Sequence, residues 1–392
     1  MDFEKHVDRK QTASVKWDRA EKIFGSSDVL PMWVADMDFE NAEPIKKSLR
    51  NLIDNEILGY TFPPDSLFEA ISSWQESKHA MKTEKENILL SPGVLSSIAV
   101  TVQAFSAPGD SVLIHDPVYP PFFSMVNKND RNVYRTPLKL EKGQYRMDFV
   151  DIEDHFKKND DIKLFILSNP HNPGGRVWSK EELVQLVELC RTYSVILISD
   201  EIHSDLVYSD FSCLSPVTLD ESYKDWVITL HSATKTFNIA GVKASFILVF
   251  NDSLKNKLVK VQEETELDIV NTFGMRATEA ALAESESWHK ELLSKLEANR
   301  SLVTDFFDKE LPDVSYMVPE ATYLFWFDAS SLNIKDEKLR ETFADIGKIG
   351  LNDGVSYGPN GKSYMRLNFA APASLVEDGL KRIKKVFDHF NK

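Results

Sequence analysis

The feature that most constrains the fold is an alternation running from residue 87 to residue 250. Short apolar runs at 87–90, 111–114, 163–167, 195–198, 226–230 and 244–250 read as strands, and helical patterns cover 94–105 and 179–192. Strands that are nearly continuous apolar runs, separated by helices, predict a mostly parallel sheet covered by helices on its faces. In open sheets of this kind, ligand groups collect outside the carboxyl ends of the strands. A chain of 392 residues has room for about two domains. Periodicity also predicts helices over 42–58 and 66–81, and a long helical region over 252–300 interrupted near 271–274. Strands at 323–327 and 363–369, with helices at 335–347 and 374–391, predict a smaller α+β unit after it. The expected class is therefore α/β, with an arm over residues 1–45, a large domain over 46–285 and a small α+β domain over 286–392. Residues 1–30 read as irregular, anchored by Trp17 and Phe24.

The polar loops at the strand ends carry the chemistry. Lys235 stands at the centre of HSATKTFNIAG, residues 231–241, between two apolar runs. Burial there disfavours its charge. Such a lysine makes sense as the covalent anchor of an aldehyde cofactor, with Ser232, Thr234 and Lys243 holding a phosphate. The plain alternative is an exposed loop lysine. Ser91-Pro92-Gly93-Val94-Leu95 is a strand, a glycine turn and a helix start, the arrangement in which backbone amides and the helix dipole receive an anion. Tyr119 lies in a loop stiffened by Pro117, Pro120 and Pro121, where it either packs or offers its ring to a planar ligand.

Asn172 is restricted by the proline after it, and its amide can donate to a phenolate oxygen. Asp200 ends an apolar strand, the position where open sheets place ligand groups. Arg366 has apolar or neutral neighbours along its strand and needs a carboxylate, either an internal one or a substrate's. The segment 30–39 holds Trp33, Ala35 and two aspartates, and reads either as a packed arm or as a pocket wall. Tyr60, on a Gly/Pro loop, either packs or presents its hydroxyl to a phosphate or across a subunit boundary.

Acidic residues outnumber basic ones 61 to 46, a net charge of −15, which argues against nucleic acid or an anionic membrane as partner. No run approaches the about 18 apolar residues of a membrane span, and the first residues lack an apolar signal core, so a cytoplasmic location is expected. Cys190 and Cys213 give neither a disulfide framework nor metal-ligand spacing, and no metal is expected; Cys190 reads as a buried reduced thiol.

Taken together, NPHNPGG, SDEIHSDL, SATKTFNIAG and MRLNFA resemble the fold-type I pyridoxal-5′-phosphate (PLP) enzymes, the aspartate aminotransferase superfamily with its class I/II aminotransferase-like fold, across essentially the whole chain. WVADMDF, DPVYPPF and DEIH are similar to the MalY/PatB group of bacterial cystathionine β-lyases. His203 stands where most aminotransferases of the superfamily carry tyrosine, and Ala321 departs from a glycine common in the lyase group. That alanine is expected to narrow or stiffen the substrate side slightly.

The resemblance implies PLP in the large domain, carried by Lys235, which then serves as general base and acid. It implies Asp200 beside the pyridine nitrogen, Asn172 on the phenolate oxygen with His203 behind it, and Tyr119 stacked on the ring and assisting the leaving thiolate. Gly93, Val94, Leu95, Ser232, Thr234 and Lys243 would hold the phosphate, with Tyr60 reaching in from a partner subunit of a homodimer with shared active sites. Arg366, with Asn172 and the Trp33–Ala35 backbone nearby, would clamp the substrate carboxylate. The implied activity is α,β-elimination on small amino-acid thioethers such as cystathionine, giving thiol, pyruvate and ammonia. An aminotransferase on the same scaffold is the first alternative, because it shares Lys235, Asp200 and Arg366. A non-catalytic regulatory binding protein is the second.

Overall fold

The computed structural model describes residues 1–390. Its main sheet has seven strands in the order Ile88–Ser91, Ser245–Leu248, Val227–His231, Ile196–Asp200, Ile162–Ser168, Ser111–Asp116, Asn132–Pro137. Ser245–Leu248 pairs antiparallel with both its neighbours, and every other pairing in the sheet is parallel. The mostly parallel sheet is thus as expected, with one reversed strand. Alternate side chains of each strand leave on opposite faces. Val112 and Ile114 enter one core with Ile98, Ile166 and Ile228, while Leu113 enters the other with Phe165, Leu197 and Phe246. Both faces are apolar for that reason, and helices cover both. The edge strand Asn132–Pro137 escaped the sequence reading because its residues are mostly polar and half-exposed, as an edge permits.

Local signals set the helix boundaries. Lys180–Thr192 starts at a reciprocal cap: the Glu182 amide donates to the Ser179 hydroxyl at 3.2 Å, and the Ser179 amide donates to the Glu182 carboxylate at 2.9 Å. Cys190, on this helix, is buried and free. The helical region after residue 250 divides into Asp252–Thr265, Thr272–Glu284 and Glu286–Glu310, so it runs ten residues further than its periodicity suggested. Its break falls where Asn271 caps the second helix, accepting from the Gly274 amide at 2.9 Å.

A four-stranded antiparallel sheet forms from Tyr316–Met317, Leu324–Asp328, Tyr364–Asn368 and Asn352–Asp353. The helix Ala373–Phe390 follows it. Residues 1–30 are less irregular than expected, since they hold the short helices Val15–Asp18 and Ala20–Phe24. Leu30–Pro31 pairs in parallel with Ile349–Gly350. Phe24 packs so closely there that a Cβ on Gly350 would meet its ring at 2.6 Å, so the position needs glycine. Among the described residues no helix is long and apolar enough to cross a membrane.

Candidate active site

The loops after the forward-running strands open on one edge of the main sheet and enclose a cavity of about 360 Å³. Lys235, Asp200, Asn172, Tyr119 and His203 all line it. Lys235 sits not in a loop but in a four-residue helix, Ala233–Thr236, whose start is capped by the Ser232 hydroxyl, 3.1 Å from the Thr234 amide. Its Nζ donates to the Ala35 carbonyl at 2.5 Å. Burial, reinforced by Arg366 and opposed by Asp36 and Asp200, pushes the Lys235 amine down to about 8.

Burial pushes the Asp200 carboxyl up to about 7, against the pull of the Ile202 amide and Lys235. That amide donates to Asp200 Oδ1 at 3.2 Å. A carboxyl so placed gains strongly from a cationic partner inside the cavity. Burial, with Lys235 and Arg366 close by, pushes the His203 imidazole down to about 3, so it is neutral at ordinary pH. Burial and the Asp200 charge raise the Tyr119 phenol, which therefore stays protonated.

At the other end of the cavity, Gly93 adopts φ 110°, a conformation that favours glycine, and Val94 opens the helix Val94–Phe105. The first amides of a helix, here at Val94 and Leu95, have no intrahelical acceptor. Gly93, Val94, Leu95, Thr234 and Lys243 line the cavity wall. Ser232 does not. Its hydroxyl donates to the Ala244 carbonyl at 2.6 Å and lies 2.7 Å from Thr234 Oγ1, so it sits behind Thr234.

Arg366, on Tyr364–Asn368 of the second sheet, does not itself line the cavity but abuts Asn172, which does. It donates to Asn172 Oδ1 at 3.0 Å, to the Trp33 carbonyl at 2.8 Å and to Asn352 Oδ1 at 3.0 Å. Its guanidinium is buried, its Nε has no partner, and it forms no ion pair among the described residues. An internal carboxylate is therefore not what holds it. Trp33 contributes its backbone only: its ring packs edge-on to Phe24 at 5.7 Å and its Nε1 donates to the Lys16 carbonyl at 3.0 Å. Tyr60 is fully exposed and lies outside this chain's cavity. Ala321 is buried in a bridge to Val207 and does not line the cavity.

Two contributors were not singled out from sequence. Tyr323 donates its hydroxyl to the same Ala35 carbonyl at 3.0 Å. Asn238 clasps Met37 reciprocally, accepting from its amide and donating to its carbonyl, each at 2.9 Å. The signal for Asn238 was present: it stands three residues after Lys235, and its φ of 56° suits asparagine.

Residues 27–383 match the family model described as aminotransferase class I and II. The cystathionine beta-lyase PatB of Bacillus subtilis is 40% identical over 384 residues, 98% of this chain and 99% of the relative. Cystalysin from Treponema denticola, solved with a pyridoxal 5′-phosphate cofactor, superposes with a TM-score of 0.95 at 30% identity, covering 99% of both chains. The PLP-bound C–S lyase of Staphylococcus hominis gives a TM-score of 0.92 at 32% identity over 98% of each chain.

Proposed function

The chain belongs to the aminotransferase class I and II family, and from that premise we infer that it is a PLP-dependent carbon–sulfur β-lyase acting on cystathionine and related cysteine S-conjugates. The observation that carries this reading is the meeting of Lys235, Asp200 and His203 in one cavity of a chain 40% identical to a cystathionine β-lyase.

The donor set fits the cofactor. A depressed amine suits an aldehyde, a lifted carboxyl suits a protonated pyridine nitrogen, and the Gly93 turn with Lys243 suits a phosphate. When bound, PLP supplies an electron sink for the charge left at the substrate α-carbon. We assign the cofactor's phosphate to the amides of Val94 and Leu95, the turn at Gly93, Thr234 and Lys243, with Ser232 acting from behind through Thr234. Asp200 holds the proton on the ring nitrogen. Asn172 offers its amide to the phenolate oxygen, while its carbonyl oxygen is occupied by Arg366. His203, neutral, supports this edge of the cavity.

Arg366 receives the substrate carboxylate. Its three carbonyl acceptors fix the guanidinium plane without neutralising it. Lys235 takes the α-proton at Nζ, and the Tyr119 phenol, held protonated, gives a proton to the departing sulfur. With one water consumed in the final hydrolysis, thiol, pyruvate and ammonia result.

The reading includes a cytoplasmic homodimer in which Tyr60 completes the partner's phosphate site. It also includes the division into an arm, 1–45, a cofactor domain, 46–285, and a small domain, 286–392. Ile53, Ile57, Leu58 and Phe62, close to Tyr60 in sequence, are exposed as it is and support a covered face there. The test is a thiol-release assay with cystathionine, cystine and S-alkyl cysteines, with no keto acid added. Release of thiol and pyruvate in equal amounts is expected; turnover that requires a keto-acid acceptor would replace this reading with an aminotransferase.

A further inference from the structure

Three side chains converge on the Asp205 carboxylate, behind the wall that carries Lys235. It accepts from Trp74 Nε1 at 2.9 Å and from the Thr236 hydroxyl at 2.7 Å, and it pairs with His79 Nε2 at 2.8 Å. Its own backbone carbonyl pairs with His289 Nε2 at 2.7 Å. None of these residues lines the cavity. The Asp205 side chain is wholly buried. Burial alone would lift its carboxyl, but the surrounding histidines, His231 and the hydrogen-bonded His79, outweigh that and hold it well below the ordinary range. A buried carboxylate is costly to place unless each oxygen is satisfied, and here each is.

The helix carrying Lys235 spans only four residues. A helix that short makes almost none of its own i to i−4 hydrogen bonds, so it cannot hold its own direction. It is pinned from outside at both ends. The Ser232 hydroxyl caps its start, and the Thr236 hydroxyl ties its end to Asp205. Lys235 lies between the two pins. Asp205 is in turn anchored on Asp65–His79 through Trp74 and His79, both on the final turns of that helix. The direction of the lysine is thus referred to a long helix elsewhere in the fold.

We propose that Asp205 is a positioning residue for Lys235, acting through Thr236 to set the direction in which the short helix aims the lysine into the cavity. The inference rests on the assignment of Lys235 as the cofactor-bearing lysine.

The test uses the full-length protein. Thr236→Val keeps the branched shape and removes the hydroxyl, while Thr236→Ser keeps the hydroxyl. Thr236→Val should lower kcat on the order of 10-fold with KM within about 2-fold, because a misaimed group loses rate before it loses binding. It should also slow capture of PLP by the cofactor-free protein by a similar factor, and Thr236→Ser should restore both. In a double-mutant cycle, Asp205→Asn combined with Thr236→Val should lose no more than the larger single loss. Wild-type kcat and capture rate in Thr236→Val, failure of Thr236→Ser to rescue, or losses that multiply in the double variant would each overturn the proposal. If Asp205→Asn does not fold, the two Thr236 variants decide alone. Borohydride trapping followed by peptide mapping on Thr236→Val separates the two readings. Slow labelling of Lys235 supports positioning, whereas label on a different lysine removes the assignment of Lys235 and the proposal with it.

Discussion

The Arg366 guanidinium donates to the side-chain oxygen of Asn172 at 3.0 Å, which turns the asparagine so that its NH2 is the group left to bind within the cavity. On the function proposed above, one contact therefore sets two recognition elements: the cation for a carboxylate and the amide donor for a phenolate oxygen. The guanidinium is buried and ion-pairs with no internal carboxylate among the described residues, so the chain itself leaves its charge unneutralised.

Arg366→Lys should lower kcat/KM by about 10- to 100-fold, the worth of a charge-assisted hydrogen bond, because an ammonium cannot make the planar two-pronged contact. Steady-state kinetics, with bound cofactor followed by its visible absorbance, check this. Unchanged kcat/KM would move the carboxylate site away from Arg366.

The pH dependence of cofactor capture follows from Lys235. Its amine in the native protein titrates at about 8, below the ordinary 10.5. A lowered native value means that between these two limits the unfolded chain holds a proton that the native protein has released. The neutral, nucleophilic amine therefore accumulates as pH rises through about 8, and this group's contribution to stability rises across the same window. PLP uptake by the cofactor-free protein should accelerate about tenfold between about pH 7 and 9 and then level off. Stopped-flow absorbance checks this, and a half-rise near the ordinary lysine value would put the amine in contact with bulk water.

Tyr119→Phe should retain cofactor binding, since the ring remains, but slow β-elimination by about 10- to 1000-fold. The loss should be greatest for poor thiolate leaving groups and small for activated aryl thiols, which need little proton assistance. Rates across a series of leaving-group acidities measure it. An equal loss for every thiol would leave Tyr119 with a positioning role only.

Mixing Tyr60→Phe with Lys235→Ala chains should restore activity. In the mixed dimer one site combines Lys235 of one chain with Tyr60 of the other, and the second site collects both lesions. Activity of separated heterodimers is the measurement. Inactive heterodimers, shown to be present by mass, would exclude a shared site.

The sequence alone determined six of the seven strands of the large sheet and the loops that matter, because both are local. The six apolar runs read as strands all lie in the main sheet, and Gly93, Asn172, Asp200 and Lys235 each stand a few residues beyond one of them. Periodicity and turn chemistry act over a few residues, so they are legible without a fold.

What needed the tertiary structure was every relation between distant segments. Arg366 meets Asn172 across 194 residues, and Lys235 meets the Ala35 carbonyl across 200. No pattern in either segment encodes its partner. Ser232 shows the same limit at short range. Its local sequence suits a phosphate ligand, but only the fold shows that its hydroxyl also caps a four-residue helix and reaches the Ala244 carbonyl. Asp205, five residues beyond Asp200 in the same string, gave no sign of its role, because that role exists only where Trp74, His79 and Thr236 arrive together. A hydrogen bond depends on where both partners end up, and only closure of the chain around the sheet puts them within reach.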